Sequence, residues 1–497
     1  MIHPMKILFA VSEVAPFSKT GGLADVAAAL PRALAAMGHD VRIVTPHYRE
    51  FSGSGERVAS LRVDSPFGPV GVNVVRVRLP GSSIPVYAVE DDRGWFNRDG
   101  LYQVKGRDFD DNLDRFAFFS RAVLELPDAL GWMPDIMHCH DWQTALVPVY
   151  LKTHGRMNGA HASRPRTVLT IHNLGYQGVF PGERFPATGL GWESFTPDGL
   201  EFYGLVNLLK GGLLAADVLT TVSPTYAREI QTEPYGHGLH GVLAARRSDL
   251  IGIINGIDIV EWDAARDPVL AAPFSASALD GKAACRDDLL RRLGLAPGPA
   301  PVLAMVTRLA YQKGVDLVVE LLPELVTMDL RVVILGTGDR AYEAALREWS
   351  AKTPDRLAAV LRFDDALAHQ VLAGADLVVM PSRYEPCGLS QMYAMRYGAV
   401  PVCHETGGLA DTVVDFRPRS THEGRATGFL FRPCDADGLI RALQLALAVH
   451  RDRTAWRQLI TAGMRTDFGW ERSAADYVRV YRRALGRDRA RHLTPPS

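Results

Sequence analysis

Short runs of Val, Ile and Leu alternate with amphipathic stretches along almost the whole chain, and this alternation limits the fold more than any other feature. "KILFAVSE" is followed by "LADVAAALPRALAAMGH" and then "DVRIVTP"; "DIMHCHD", "TVLTIHN", "VLTTVS" and "IGIIN" come later, each leaving through a polar or glycine-bearing exit. Continuous apolar runs of this length are strands covered on both faces, and the amphipathic stretches between them are the covering helices, so the grammar is that of a parallel α/β sheet. It pauses over residues 255–301, rich in Pro, Ala and Gly, and restarts with "VLAMVTRL", "RVVILGTGD", "AVLRFDD", "LVVMPS", "VPVCHE" and "GFLF". Two doubly wound, Rossmann-like domains are expected, with the pause as the crossing between them.

A length of 497 residues accommodates two such domains. With 47% hydrophobic and 22% charged residues and a net charge of −1, the chain has an ordinary soluble profile. No basic bias points to nucleic acid or to a membrane. The five cysteines, Cys139, Cys285, Cys387, Cys403 and Cys434, lack the spacing of a disulfide framework or zinc knuckle. The N-terminal apolar run is too short to span a membrane and is followed by no small-residue cleavage site, so it reads as a buried strand. A cytoplasmic enzyme is the expectation, and the basic C-terminal stretch, helical until its Pro-Pro tail, reads as a solvated helix face.

Six residues, Thr-Gly-Gly-Leu-Ala-Asp, occur twice: in "KTGGLADVAAAL" at Lys19–Leu30 and in "ETGGLADTVVD" at Glu405–Asp415. Each copy lies where a strand hands over to a helix. Gly-Gly there can make a tight turn, or it can let backbone approach an oxygen-rich ligand while the helix start offers N–H groups to it. One copy per domain favours two ligand loops, with Lys19, Gly21 and Gly22 on one and Thr406, Gly407 and Gly408 on the other.

The second half carries more specific chemistry. "TRLAYQKG" places Arg308 and Lys313 on one loop after a strand, where they can be surface charges or a pair of cations for a diphosphate. "VVILGTGDRAYEAA" matches a dinucleotide fingerprint at Gly336, Gly338 and Ala341, but in the second βα unit of its domain and without the usual acid some twenty residues on, so it reads as a loop lining a nucleotide site. In "LVVMPSRYEPCGLSQMYAMRYG" a strand ends at Pro381, Glu385 follows on the loop, and Cys387, Gly388 and Leu389 open a helix. A carboxylate there can accept from a ribose diol. With no His nearby in sequence, the Cys387 thiol reads as a packing group as readily as a nucleophile.

Taken in order, "KTGGLADV", "HDWQTALVP", "TIHNLGYQG", "NGID", "TRLAYQKG", "EPCGLSQMYAMRYG" and "TGGLADTV" resemble the bacterial glycogen synthases and plant starch synthases over essentially the whole chain. The resemblance implies a GT-B glycosyltransferase: two Rossmann-like domains facing across a deep cleft, at residues 1–258 and 259–472, with a C-terminal helix at 473–497 returning to the first. It implies transfer of glucose from ADP-glucose to the non-reducing end of glycogen or another α-1,4-glucan, with retention and with no cofactor or metal requirement. By that resemblance Lys19 binds the donor, with Gly21 and Gly22 bringing backbone to the phosphate. Arg308 and Lys313 hold the diphosphate, Glu385 the ribose, and the backbone of Cys387, Gly388 and Leu389 the glucose hydroxyls. His172 and Asp141 line the glucose site, and Asn255 lies near the hinge. Many retaining GT-B enzymes carry a second glutamate eight residues after the first. Here that place is Tyr393, so a two-carboxylate mechanism is not supported, and front-face displacement assisted by the departing phosphate is implied instead.

On this reading the two TGGLAD loops grip the donor from either side when the cleft closes, excluding water. Three rivals stand beside it: a sugar-nucleotide epimerase of the same fold, a catalytically silent glycan-binding protein, and an NAD oxidoreductase resting on the GTGDRA match alone.

Overall fold

The computed structural model describes residues 4–53, 55–153 and 164–491. Two compact units emerge. The first takes the chain up to Val222, Ala227–Gly256 and the segment from Trp470 onward; the second takes Ser223–Tyr226 and Ile257–Gly469. The main crossings thus fall after Gly256 and after Gly469, where the sequence reading divided the chain after residues 258 and 472.

Among the described residues, nine strands of the first unit form one sheet: β1 (Lys6–Ala10), β2 (Asp40–Pro46), β3 (Glu56–Val63), β4 (Val70–Arg78), β5 (Pro85–Asp91), β6 (Ile136–His140), β7 (Arg166–Ile171), β8 (Val218–Thr221) and β9 (Leu250–Gly252). Their spatial order is β9-β8-β7-β6-β1-β2-β5-β4-β3. β1 pairs in parallel with both β2 and β6, with Phe9 opposite Ile43 on one side and His138 on the other. β6 is buried at every position, as a strand covered on both faces must be.

The expected all-parallel sheet is corrected at one edge, where β4 runs antiparallel to β3 and to β5. "VGVNVVRVR" buries alternate residues over most of its length and "ERVASLRV" buries only Val63, so neither forms a continuous buried apolar run. A search tuned to doubly covered strands passes over such one-faced strands.

Helix α1 (Gly22–Ala36) buries Leu23, Val26, Ala27, Leu30 and Leu34, spaced at three and four so that they form one stripe. The C-terminal helix Trp470–Arg491 buries Ala474, Tyr477, Val478, Tyr481 and Ala484 at the same period. Both stripes join Phe9, Ile43 and Ile136 in one core. Each fully buried tyrosine ring there contributes about 2 kcal/mol relative to exposure. The Pro-Pro tail lies outside the described residues.

The second unit is a six-stranded parallel sheet: β10 (Val302–Val306), β11 (Arg331–Leu335), β12 (Leu357–Val360), β13 (Leu377–Met380), β14 (Val400–His404) and β15 (Phe429–Phe431), ordered β12-β11-β10-β13-β14-β15. The third-second-first-fourth-fifth-sixth order is the Rossmann order, and the order in which successive strands are laid down reverses between β10 and β13, which run parallel.

The crossing after Gly256 falls at the start of the Pro/Ala/Gly-rich segment, and the rest of that segment contributes side chains to the core of the second unit. Trp262, Ala264, Phe274, Cys285, Leu289, Leu290 and Leu295 all lie in the hydrophobic cluster of the second unit. Helix α2 (Asp280–Leu293) sets Leu289 against Gly374, the last residue of α3 (Asp365–Gly374), where an added Cβ would come within 2.7 Å of the leucine side chain. Charges on the outer face of α2 dilute its apolar stripe, which hid it in a composition reading. Further on are the short helices α4 (Ser390–Arg396) and α5 (Gly407–Thr412). Lys282 of α2 donates to the carbonyls of Ala373, Ala375 and Tyr397 at 2.9, 2.8 and 2.9 Å, so one ammonium ties together the C-terminal ends of α3 and α4.

Candidate active site

In an open α/β sheet the loops leaving two strands on either side of the topological reversal diverge, and the crevice between them is where ligands bind. In the second unit those strands are β10 and β13, whose exits carry Arg308 and Lys313 on one loop and Glu385 on the other. Gly314, at φ 66°, closes the first loop; an added Cβ would meet the Pro381 carbonyl oxygen at 2.1 Å, so only glycine lets the loops come this close. The backbone N–H of Arg383 donates to Gln312 O at 2.9 Å. Lys313 Nζ then lies 2.6 Å from Glu385 Oε2, which also accepts from Ser382 Oγ at 2.9 Å. Arg383 forks onto Asp316 at 2.7 and 2.6 Å and lies 3.7 Å over the exposed Tyr311 ring. Arg308 is exposed on the same loop.

The second TGGLAD copy abuts this arrangement. Gly407 sits at φ 45°, and the Gly408 N–H donates to the Glu385 carbonyl at 3.0 Å. That N–H, which the sequence reading offered to a ligand, is therefore spent inside the protein. An added Cβ on Gly408 would meet Cys387 O at 2.0 Å and Cys387 Cα at 2.4 Å. Buried Gln391 joins both loops: its Nε2 donates to Cys387 O, Gly388 O and Thr412 Oγ1 at 3.1, 3.0 and 3.0 Å, and Thr412 Oγ1 donates to Gly408 O at 2.6 Å. Gly388, at φ 70°, has the Gln391 Oε1 where a Cβ would go. The Asp411 carboxylate accepts from the N–H and hydroxyl of Thr225, both at 2.7 Å, while Ser223 Oγ donates to Pro386 O at 2.6 Å. Leu389 stands just ahead of α4 and Thr406 just ahead of α5.

The first unit has its reversal between β1 and β6. The exit of β1 carries Glu13, Lys19 and Thr20; that of β6 carries Asp141. Glu13 is nearly buried and accepts from the Thr20 hydroxyl at 3.1 and 3.0 Å and from the Thr20 and Gly21 N–H groups. Burial outweighs these bonds and pushes its carboxyl up to about 7. In this first copy, then, the loop's N–H groups are occupied by the chain's own carboxyl. Lys19, half-exposed, reaches Asp25 Oδ1 at 2.7 Å.

Asp141 lies at φ 54°, a strained position for a residue with a side chain. Its Oδ1 accepts the His172 N–H at 2.7 Å. Burial raises this carboxyl also to about 7, and the Glu13 charge adds to the rise. His172 Nε2 is 2.9 Å from His140 Nδ1, and burial holds His172 down at about 3. At neutral pH His172 is therefore an uncharged hydrogen-bonding group, suited to a sugar hydroxyl and not to holding a phosphate by charge.

Three further residues singled out in the sequence are placed as follows. Gly336 and Gly338 of the fingerprint match run beside the β10 exit, where added Cβ atoms would meet Thr307 O at 1.8 Å and Leu309 O at 2.2 Å. The Gly338 N–H donates to Glu343 at 3.0 Å. Those glycines are thus required by chain packing. Asn255 is buried one residue before the crossing, its Oδ1 without a hydrogen-bond partner among the described residues. Sequence reasoning passed over Glu13, His140, Ser382, Gln391 and Thr412. Glu13 alone had a signal, an acid at a strand exit six residues before Lys19.

Among the described residues no helix is long and apolar enough to cross a membrane. Residues 6–245 match the starch synthase catalytic domain family, and residues 288–460 match glycosyl transferases group 1. The chain is 51% identical to a glycogen synthase of Anaeromyxobacter sp. (strain Fw109-5) over 96% of this chain and 99% of that one. It is 48% identical to glycogen synthase 2 of Geobacter sulfurreducens over 97% and 99%. The solved catalytic domain of starch synthase IV from Arabidopsis thaliana, bound to ADP and acarbose, superposes with a TM-score of 0.88 at 34% identity, covering 97% of this chain and all of that one.

Proposed function

Since the chain belongs to the glycogen and starch synthase family of GT-B glycosyltransferases, we propose that it transfers glucose from ADP-glucose to the non-reducing end of an α-1,4-glucan, with retention of configuration and release of ADP. The observation that carries this reading is the convergence of Lys313, Glu385 and the Arg308 loop at the reversal of the second sheet. The related starch synthase, solved with ADP and acarbose, supports the choice of an adenine nucleotide and a glucan.

In the proposed reaction the bond between the glucose anomeric carbon and the diphosphate breaks, and the acceptor hydroxyl forms the new bond on the same face. The acceptor proton passes to the departing phosphate. Arg308 and Lys313 stabilise the charge that grows on the diphosphate, a contribution that exists only as the bond breaks. Glu385 holds Lys313 in place and, through its loop, presents ribose and glucose with the backbone of Cys387, Gly388 and Leu389. Neutral His172, oriented by His140 and Asp141, hydrogen-bonds the glucose. Lys19, Gly21 and Gly22 approach the donor phosphate.

The test is to incubate the full chain with ADP-glucose, with and without glycogen, following ADP release and glucan growth, and to repeat it with UDP-glucose. ADP release that depends on glycogen and matches glucan growth is expected. An isomerised donor without glycogen would identify an epimerase, and glycan binding without turnover a silent binding protein.

A further inference from the structure

Outside those loops the second unit carries a second group of chemistry-bearing side chains. Glu261 lies shortly after the crossing into this unit, while Asp365 and His369 stand four apart on α3 and so share one face of that helix. Each of the three brings one ligand-capable atom to within 4.8 Å of the other two.

The histidine is held in one orientation. Its Nδ1 lies 2.6 Å from Asp267 Oδ2 and 3.1 Å from the Tyr397 hydroxyl, and its ring stacks 3.8 Å from Trp262 at 19°. The side chains of His369 and Asp267 are 8% and 3% exposed. An ionised carboxylate can only accept, so Nδ1 is the donor to Asp267 and Nε2 is the ring atom turned towards Glu261 and Asp365 as a possible ligand. No hydrogen bond to Nε2 is formed among the described residues. Two exposed carboxylates and the Nε2 of a buried imidazole thus set three possible ligand atoms at a separation that one cation can bridge.

We propose that Glu261, Asp365 and His369 bind one divalent transition-metal ion of the zinc type. One nitrogen and two carboxylate oxygens, completed by water, suit such an ion, and Asp267 is the outer carboxylate that fixes a metal-binding histidine. The ion is structural. It joins the Glu261 loop to α3, and Trp262, stacked 3.8 Å from His369 and 3.8 Å from Tyr393, carries the connection to α4. Only Asp365 and His369 are close in sequence, and Glu261 lies more than a hundred residues before them, so no short motif holds all three ligands.

The test uses the full chain after chelation and dialysis, with Zn2+ titrated by calorimetry and Co2+ by its visible absorption. One site per chain is expected in the parent, with Zn2+ raising the melting temperature. The double variant Glu261→Gln, Asp365→Asn changes two exposed side chains; it should melt like the parent in chelator, lose affinity tenfold or more, and lose the Zn2+-induced rise. Asp365→Asn alone should lose affinity in the same direction. Equal affinity in the variants, or no binding of either ion by the parent at millimolar concentration, overturns the proposal.

Discussion

Lys313 and Glu385, which the sequence assigns to different parts of the donor, hold each other: Nζ lies 2.6 Å from Oε2. Since the Glu385 side chain is 6% exposed, removing the ammonium alone leaves a buried carboxylate without its cation, a cost on the order of 3 kcal/mol. Lys313→Ala should therefore lower both stability and turnover, the latter by roughly a hundredfold or more, with little loss of glycogen binding. Adding Glu385→Gln should restore most of the melting temperature and none of the turnover. Near-parental turnover in either folded variant would remove Lys313 from the reaction.

Lys282 gives a pH signature of its own. Burial lowers its ammonium from 10.5 to about 8. Between those values the unfolded chain binds a proton that the folded chain does not, so this group makes stability rise with pH across the window and fall as pH drops towards 8, with a slope of up to about 1.4 kcal/mol per unit. Lys282→Met should remove that slope. It should also cost about 3 kcal/mol, since three carbonyls lose their donor. Thermal melts across the window in parent and variant check both; a parent slope retained by the variant would assign it to another group.

Glu13 and Asp141 act with the opposite sign. Their folded-state values, both about 7, stand above the ordinary 4.5 and 3.8, so the stability they contribute is complete below those ordinary values and lost as pH rises through 7. Ionised Glu13 would also place a negative charge on the loop proposed to receive the donor phosphate. KM for ADP-glucose should rise above pH 7 in the parent. In Glu13→Gln, which keeps a neutral acceptor for Thr20, both the KM rise and part of the stability slope should flatten. A KM profile in the variant that still follows the parent would separate Glu13 from the donor.

The sequence made both Rossmann-like units legible because strands such as β1 and β13 are continuous apolar runs with polar exits, and β6, though it carries two histidines, is buried throughout. It hid β3 and β4, whose open face breaks the run, and α2, whose outer charges mask Cys285 and Leu289. Arg308, Lys313 and Glu385 were legible as charges at strand exits. That two of them pair was not, since the pairing depends on which strands adjoin at the reversal. The Glu13 interaction with Thr20 and the Gln391 link to Thr412 are likewise products of packing.

The two TGGLAD copies separate most sharply in what their glycines permit. Gly21 is extended, with φ −160°, and nothing lies within 4 Å of where its Cβ would go. Gly408 faces the Cys387 carbonyl at 2.0 Å and gives its N–H to Glu385. A side chain at Gly408 therefore costs stability: the obstruction is main chain, and α5 must part from the Glu385–Leu389 loop. Gly408→Ala should lower the melting temperature by several degrees and cut transfer through that displacement, with ADP binding weakened in parallel. Gly21→Ala should melt like the parent, because the chain already accepts a side chain there. Any loss it shows must then arise from the ligand, as a raised KM for ADP-glucose with ADP release still coupled to glucan growth. Parental KM in Gly21→Ala would reduce the first copy to a turn, and a parental melt in Gly408→Ala would show that the two loops separate without cost.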